Sequence, residues 1–211
     1  HEVGGRASVL EEHGYRFDMG PSWYLMPDIF DRFFEKFDYK AEDFYELNRL
    51  DPNYRIFFKD GDMMDVPADP EEAGKLFEQY EDGAAEAFEK YLEKSEETYE
   101  IGMNEFVLKD RNNFRDYISL DVLRNARGIS LIKKMQDHVE EYFDDPKLQK
   151  VMQYTLVFLG GSPENTPALY NLMSHVDFNM GVYYPEGGIY SVIEAMEELA
   201  EKKGVEISTN E

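Results

Sequence analysis

The sequence predicts an α+β fold, with a mixed or antiparallel sheet capped by a helical layer. Three observations carry this reading. Short strand patterns separated by glycine turns fill residues 7–66. Helical periodicity dominates from residue 70 to about 175. A strand, a loop, a helix and a further strand close the chain over residues 182–208.

Taken in order, the chain opens with Gly4-Gly5-Arg6-Ala7-Ser8. Two glycines let backbone approach a bulky ligand, because they carry no Cβ. Arg6 can hold an anion or cap a carbonyl-rich loop. Residues 7–12 and 15–18 read as two short strands around a His13-Gly14 turn. Gly20-Pro21 turns the second strand sharply and delivers Ser22 and Trp23 to one spot. Pro27 suits the first turn of a helix. Ile29, Phe30, Phe33, Phe34 and Phe37 then recur at helical spacing. Such a stripe is core, or the wall of an apolar tunnel.

Residues 47–50, 54–59 and 63–66 have strand character, the last two joined by an Asp60-Gly61-Asp62 turn. Asp69-Pro70-Glu71-Glu72 starts a helix, with acids placed well at its N-terminus. A longer helix spans about 83–108, with Phe88, Tyr91, Leu92, Ser95, Tyr99 and Phe106 on one face and Glu and Lys on the other. Two helices follow at 129–143 and 146–159, divided by Asp144-Asp145-Pro146, and a third runs from Thr166-Pro167 to about His175. Residues 182–184 and 205–208 read as strands flanking a helix over 189–203, which Gly204 terminates.

The totals exclude several classes. There is no cysteine, hence no disulfide, thiolate nucleophile or cysteine metal site. His138 and His175 lack ligand spacing, so no metal is expected. The net charge of −23 repels phosphate and argues against nucleic-acid partners. A salt-rich cytoplasm favours such an excess, though the many lysines among the basic residues count against that source. No apolar run has the length of a membrane span. The expectation is a cytoplasmic protein, with peripheral membrane contact left open.

Four separated segments carry a resemblance. They are Gly4-Gly5-Arg6-Ala7 with Phe17-Asp18-Met19-Gly20-Pro21-Ser22-Trp23, the Tyr54–Pro67 meander, Leu159-Gly160-Gly161-Ser162-Pro163, and Gly181-Val182-Tyr183-Tyr184-Pro185-Glu186-Gly187-Gly188. In this order they resemble the FAD-dependent carotenoid (phytoene) desaturases of bacterial and archaeal type. Residues 70–150 match by character rather than by motif. The resemblance implies an enzyme that removes hydride from a saturated C–C bond of an apolar polyene and passes it to non-covalent FAD. It implies that Gly4, Gly5, Arg6, Gly20, Pro21, Ser22 and Trp23 face the cofactor, and that Gly187-Gly188 lies at the entrance to the substrate domain.

On that reading residues 1–25 belong to the FAD-binding region, 26–185 to a substrate domain with a helical insertion, and 186–211 return towards the FAD-binding domain. A dinucleotide fold needs a Gly-x-Gly-x-x-Gly turn, and none occurs here. The expectation is therefore a piece of a longer flavoprotein, inactive alone, without tightly held FAD and able to self-associate through an exposed apolar patch.

Hydride removal needs a proton acceptor within reach, or a cationic intermediate that loses a proton. Asp121 and Arg124 share one face if their segment is helical, and Arg115-Asp116 is the competing pair. A solvated surface ion pair is the plain alternative for both. Related readings are a carotenoid isomerase, an oxygenase and a retinol saturase. From a different class comes a non-catalytic acidic helical module that binds lipid or protein.

Overall fold

The structure, a computed structural model, describes residues 2–108 and 133–209. It divides into two compact units, residues 1–68 with 181–211, and residues 69–180.

In the first unit, Ser8–Glu12 (β1) pairs antiparallel with Tyr15–Met19 (β2), Leu10 opposite Phe17. Pro27–Glu35 (α1) follows, with Pro27 in the first turn, where its missing N–H costs nothing. Leu47–Arg49 (β3) pairs with Tyr183–Pro185 (β6), and Tyr54–Phe57 (β4) with Met63–Val66 (β5), both antiparallel. Tyr190–Lys202 (the C-terminal helix) completes the unit.

Its core joins the two ends of the sequence: Tyr24, Phe34, Ala41 and Tyr45 pack with Ile189, Val192, Ala195 and Leu199. The phenylalanine stripe of α1 is mostly core. Phe34 is fully buried, Phe30 and Phe37 pack against the cluster, and Phe33 reaches the surface. Arg49 holds together the places where the chain leaves and re-enters this unit. Its Nη2 donates to the Ala68 carbonyl at 2.9 Å, and a Cβ on Gly181 would stand 2.8 Å from its Nε.

The second unit is helical. Pro70–Phe77 (α2) begins at Asp69, whose carboxylate accepts the N–H groups of Glu71 and Glu72 at 2.8 and 3.1 Å. Ala84–Ile101 (α3) runs on as a wider π-helical segment, Gly102–Val107. Phe88, Tyr91, Leu92 and Ser95 on its predicted inner face are buried. The rings of Phe77, Phe88 and Phe178 meet edge-on with centroids 4.8–6.3 Å apart, a favoured aromatic geometry. Pro146–Gln153 (the helix after Asp145) repeats the Asp-Pro start, with Asp145 accepting from Lys147 and Leu148 at 2.7 and 3.1 Å.

The α+β class holds, but its details need correction. The described strands form three separate two-stranded ribbons rather than one capped sheet. Residues 205–208 are not a strand: an extended segment needs a partner backbone, and the described residues give it none. Residues 133–134 are not helical: Lys133 is a bend and Lys134 is extended. Ala168 N–H bonds the Lys133 carbonyl and Met135 N–H the Thr166 carbonyl, each at 2.8 Å, so a single antiparallel bridge between Lys134 and Pro167 replaces the helical ladder. The helix there covers only Met135–Val139. Beyond Gln153 the chain tightens into a 3₁₀ segment, Tyr154–Leu159, ended by left-handed Gly160. Residues 168–180 are one 3₁₀ turn, a short α turn and a π-helical turn in succession.

Candidate functional site

In the first unit the glycine-rich segments are interlocked. The Ala7 N–H donates to the Gly4 carbonyl at 3.0 Å, closing a turn in which Gly4 and Gly5 have φ of 101° and 58°. A Cβ on Gly4 would overlap the Ala7 carbonyl oxygen and crowd Ile193. At Gly20, φ is 123°, and a Cβ would overlap the Arg6 carbonyl oxygen. These two glycines therefore serve the chain's own packing. Gly5 and Gly187 also have positive φ, but nothing lies within 4 Å of their missing Cβ. They present bare backbone to whatever approaches.

Arg6, Pro21 and Ser22 are exposed, and Trp23 is half-buried. The Trp23 ring stacks on Tyr54, centroids 6.0 Å apart and nearly parallel. Tyr24 and Tyr183 exchange backbone hydrogen bonds at 3.0 and 2.9 Å. The Gly20–Trp23 turn thus lies close against the Arg6 carbonyl at one end and is tied to β6, through Tyr24, at the other.

Sequence reasoning missed Asp18. Its Oδ2 accepts the Tyr184 hydroxyl at 2.5 Å and the Ile189 N–H at 3.0 Å. Ile189 immediately precedes the C-terminal helix, so the carboxylate sits where the helix dipole favours a negative charge. Its hydrogen bond, with burial added, pushes the Tyr184 hydroxyl pKa up to about 12. Tyr190, in the first turn of that helix, donates through its hydroxyl to the Val3 carbonyl at 3.1 Å. No spacing rule links positions so far apart. The one available signal was that Asp18 and Gly187-Gly188 both fall in the segments that carry the family resemblance.

A concavity of about 680 Å³ in this unit is lined by Asp31, Glu35, Glu42 and Glu46, by Lys40, which is paired with Glu42, and by the buried Tyr24 and Tyr45. The two tyrosine hydroxyls lie 2.7 Å apart. A lining of four carboxylates and one lysine already paired with Glu42 suits neither a phosphate nor a polyene.

A family model described as flavin containing amine oxidoreductase matches residues 1–211. The chain belongs to that family. Among curated relatives of this chain is a carotenoid 3,4-desaturase of Haloarcula japonica, 60% identical over 99% of the chain and 42% of the relative. A zeta-carotene-forming phytoene desaturase of Myxococcus xanthus is 31% identical over 96% of the chain and 39% of its own length. A 4,4'-diapolycopene oxygenase of a Methylomonas species is 30% identical over 98% and 42%. The chain spans less than half the length of these relatives.

The acid–base candidates, Asp121, Arg124 and Asp116 with its neighbour Arg115, lie outside the described residues. Among the described residues no three His, Cys, Asp or Glu side chains are grouped to hold a metal. His175 instead pairs with Asn179 at 2.9 Å. His138 is buried, 3.1 Å from the Asn171 amide nitrogen and against the Tyr91 ring.

Burial first, and then the charge of Lys133, lower the His138 pKa to about 4, with Glu141 opposing. A base whose folded pKa lies below its ordinary 6.5 keeps its stabilising, neutral form above that value. This contribution is lost as pH falls from 6.5 towards about 4. The expected result is an imidazole still neutral at about pH 6 by its NMR shifts. A midpoint at the ordinary value would contradict the burial seen here.

Proposed function

We propose that this chain is part of an FAD-dependent carotenoid desaturase acting on an apolar polyene. The observation that carries the proposal is the interlocked glycine cluster of the first unit, within a chain 60% identical to a carotenoid 3,4-desaturase. The fit to a flavin rests on the bare, positive-φ backbone at Gly5 and Gly187 and on exposed Arg6 beside the first of these. The start of the C-terminal helix already has an anion in Asp18, so cofactor phosphates belong at the Gly4–Arg6 loop instead. Trp23, stacked on Tyr54, supplies a fixed aromatic wall next to the Gly20–Ser22 turn.

When bound, the flavin supplies a two-electron acceptor for hydride removal from a saturated C–C bond. Asp121 with Arg124, and Asp116 as second choice, are proposed to take the accompanying proton. Residues 69–180 are proposed to bind the polyene. Their exposed Val157, Phe158 and Leu159 support contact with an apolar substrate or the lipid that carries it. No described helix is long and apolar enough to cross a membrane, so that contact is proposed as peripheral. The oxygenase relative keeps a second reading in view, oxygen insertion on a similar polyene.

The test uses the full-length protein in detergent, given FAD and a C40 polyene without oxygen. Flavin bleaching with red-shifted polyene bands is the expected result. Bound flavin that never bleaches would exclude dehydrogenation of that polyene, and product formed only when oxygen is admitted would favour the oxygenase.

A further inference from the structure

We infer that Asp18 is a positioning residue, whose carboxylate locks the Gly20–Trp23 turn to the Gly187-Gly188 turn and so sets the shape of the flavin-facing loops. The inference rests on the flavin reading above and assigns a role to a side chain that has none in it.

Asp18 stands two residues before Gly20, at the end of β2. Gly20 lies so close to the Arg6 carbonyl that no Cβ fits between them. On the far side one oxygen of Asp18 takes both the Tyr184 hydroxyl and the Ile189 N–H. Those donors flank Gly187-Gly188, so the turn between them is pinned at both ends. The other oxygen, Oδ1, is buried with no hydrogen-bond partner among the described residues. A Cβ on Gly188 would stand 3.0 Å from it.

A half-buried carboxylate whose one enclosed oxygen goes unpartnered is a poor choice for stability alone, since the hydration lost by that oxygen is not returned. It is a good choice for geometry. Two charge-assisted hydrogen bonds converging on one atom fix both donors more tightly than neutral bonds would. The outcome is a Gly188 held against protein and a Gly187 left bare towards solvent.

The experiment compares D18A, D18N and Y184F in the full-length protein. It reads amide exchange over residues 188–191, the Kd for FAD and the visible spectrum of the bound flavin. D18A should quicken exchange there, raise the Kd about tenfold and blur the vibronic structure of the flavin band, as loss of a charge-assisted bond predicts. D18N keeps an acceptor for Ile189 and a polar partner for Tyr184, so it should restore the Kd to within about threefold. Y184F, which removes one donor, should fall between them and carries the test if D18A does not fold.

Faster exchange with an unchanged Kd and flavin spectrum would leave Asp18 a purely structural residue and overturn the inference. Unchanged exchange in D18A would overturn the clamp itself. An unaltered full-length protein that holds no flavin would sink the functional reading, and the positioning role with it, whatever exchange shows.

Discussion

Replacing Gly20 by alanine should cost the full-length protein most of its bound flavin while leaving residues 69–180 folded. The added Cβ would overlap the Arg6 carbonyl oxygen, a backbone atom that cannot swing aside as a side-chain end would. The backbone angle is also one that L-residues rarely adopt, with φ of 123°, and such strain alone costs about 1–3 kcal/mol. Relief requires the Gly4–Arg6 loop and the Gly20–Trp23 turn to part, and these are the loops proposed to face the cofactor. The measurement is flavin absorbance per protein after desalting, beside helix content by circular dichroism. Full flavin occupancy in G20A would show that the two loops can separate without harm to the site. Alanine at Gly14, in the turn between β1 and β2, carries a similar backbone strain, with φ of 82°, but its Cβ would meet nothing, so it should keep the flavin and serves as the control.

The second large effect is on stability. Phe34→Ala should lower the unfolding free energy of the unit formed by residues 1–68 and 181–211 by about 3–5 kcal/mol, the range for deleting a fully buried ring. Phe34 is wholly inaccessible, and its ring meets those of Phe33, Phe44 and Tyr45 at centroid distances of 5.0–6.2 Å. Phe44 and Tyr45 pack in a hydrophobic cluster with Ile189 and, on the C-terminal helix, Val192, so the cavity has no easy way to collapse. Phe33→Ala, on the same helix but at the surface, should cost far less. Chemical denaturation followed by the near-UV signal of this aromatic cluster distinguishes the two. Equal losses would mean that the stripe on α1 packs differently from the arrangement described here.

Where local chemistry decides the structure, the sequence was legible. The Asp69-Pro70 and Asp145-Pro146 helix starts, the glycine turn before Trp23 and the inner face of α3 all follow from residues within a few positions of one another. The interlocked glycines were marked as a group by the family resemblance. That Gly4 and Gly20 serve internal packing, while Gly5 stays open, depends on Ile193 and the Arg6 carbonyl and could not be read along the chain. Asp18 escaped for the same reason, since its partners lie more than 160 positions away. Strand character at 205–208 was misleading because alternation says nothing about whether a partner backbone exists. Residues 133–134 were misread as helix because pairing with residues 166–168 outweighs their local preference. Asp116, Asp121 and Arg124 fall outside the described residues and stay sequence-based proposals.

The guanidinium of Arg49 has a consequence for how such a protein is made. By touching Ala68 and Gly181 it ties off a chain loop comprising the whole of residues 69–180. During synthesis that loop emerges in full before β6 and the C-terminal helix exist, so the helical unit can fold while its host is still incomplete. Closing the loop afterwards carries an entropic cost that grows only with the logarithm of its length, about 0.6 kcal/mol per doubling. A knot of fixed ends with a nearly length-indifferent interior lets insertions and deletions accumulate between residues 69 and 180 without loosening the glycine cluster. The part proposed to meet the polyene can therefore be remodelled for longer or shorter chains while the part proposed to hold the cofactor stays as it is.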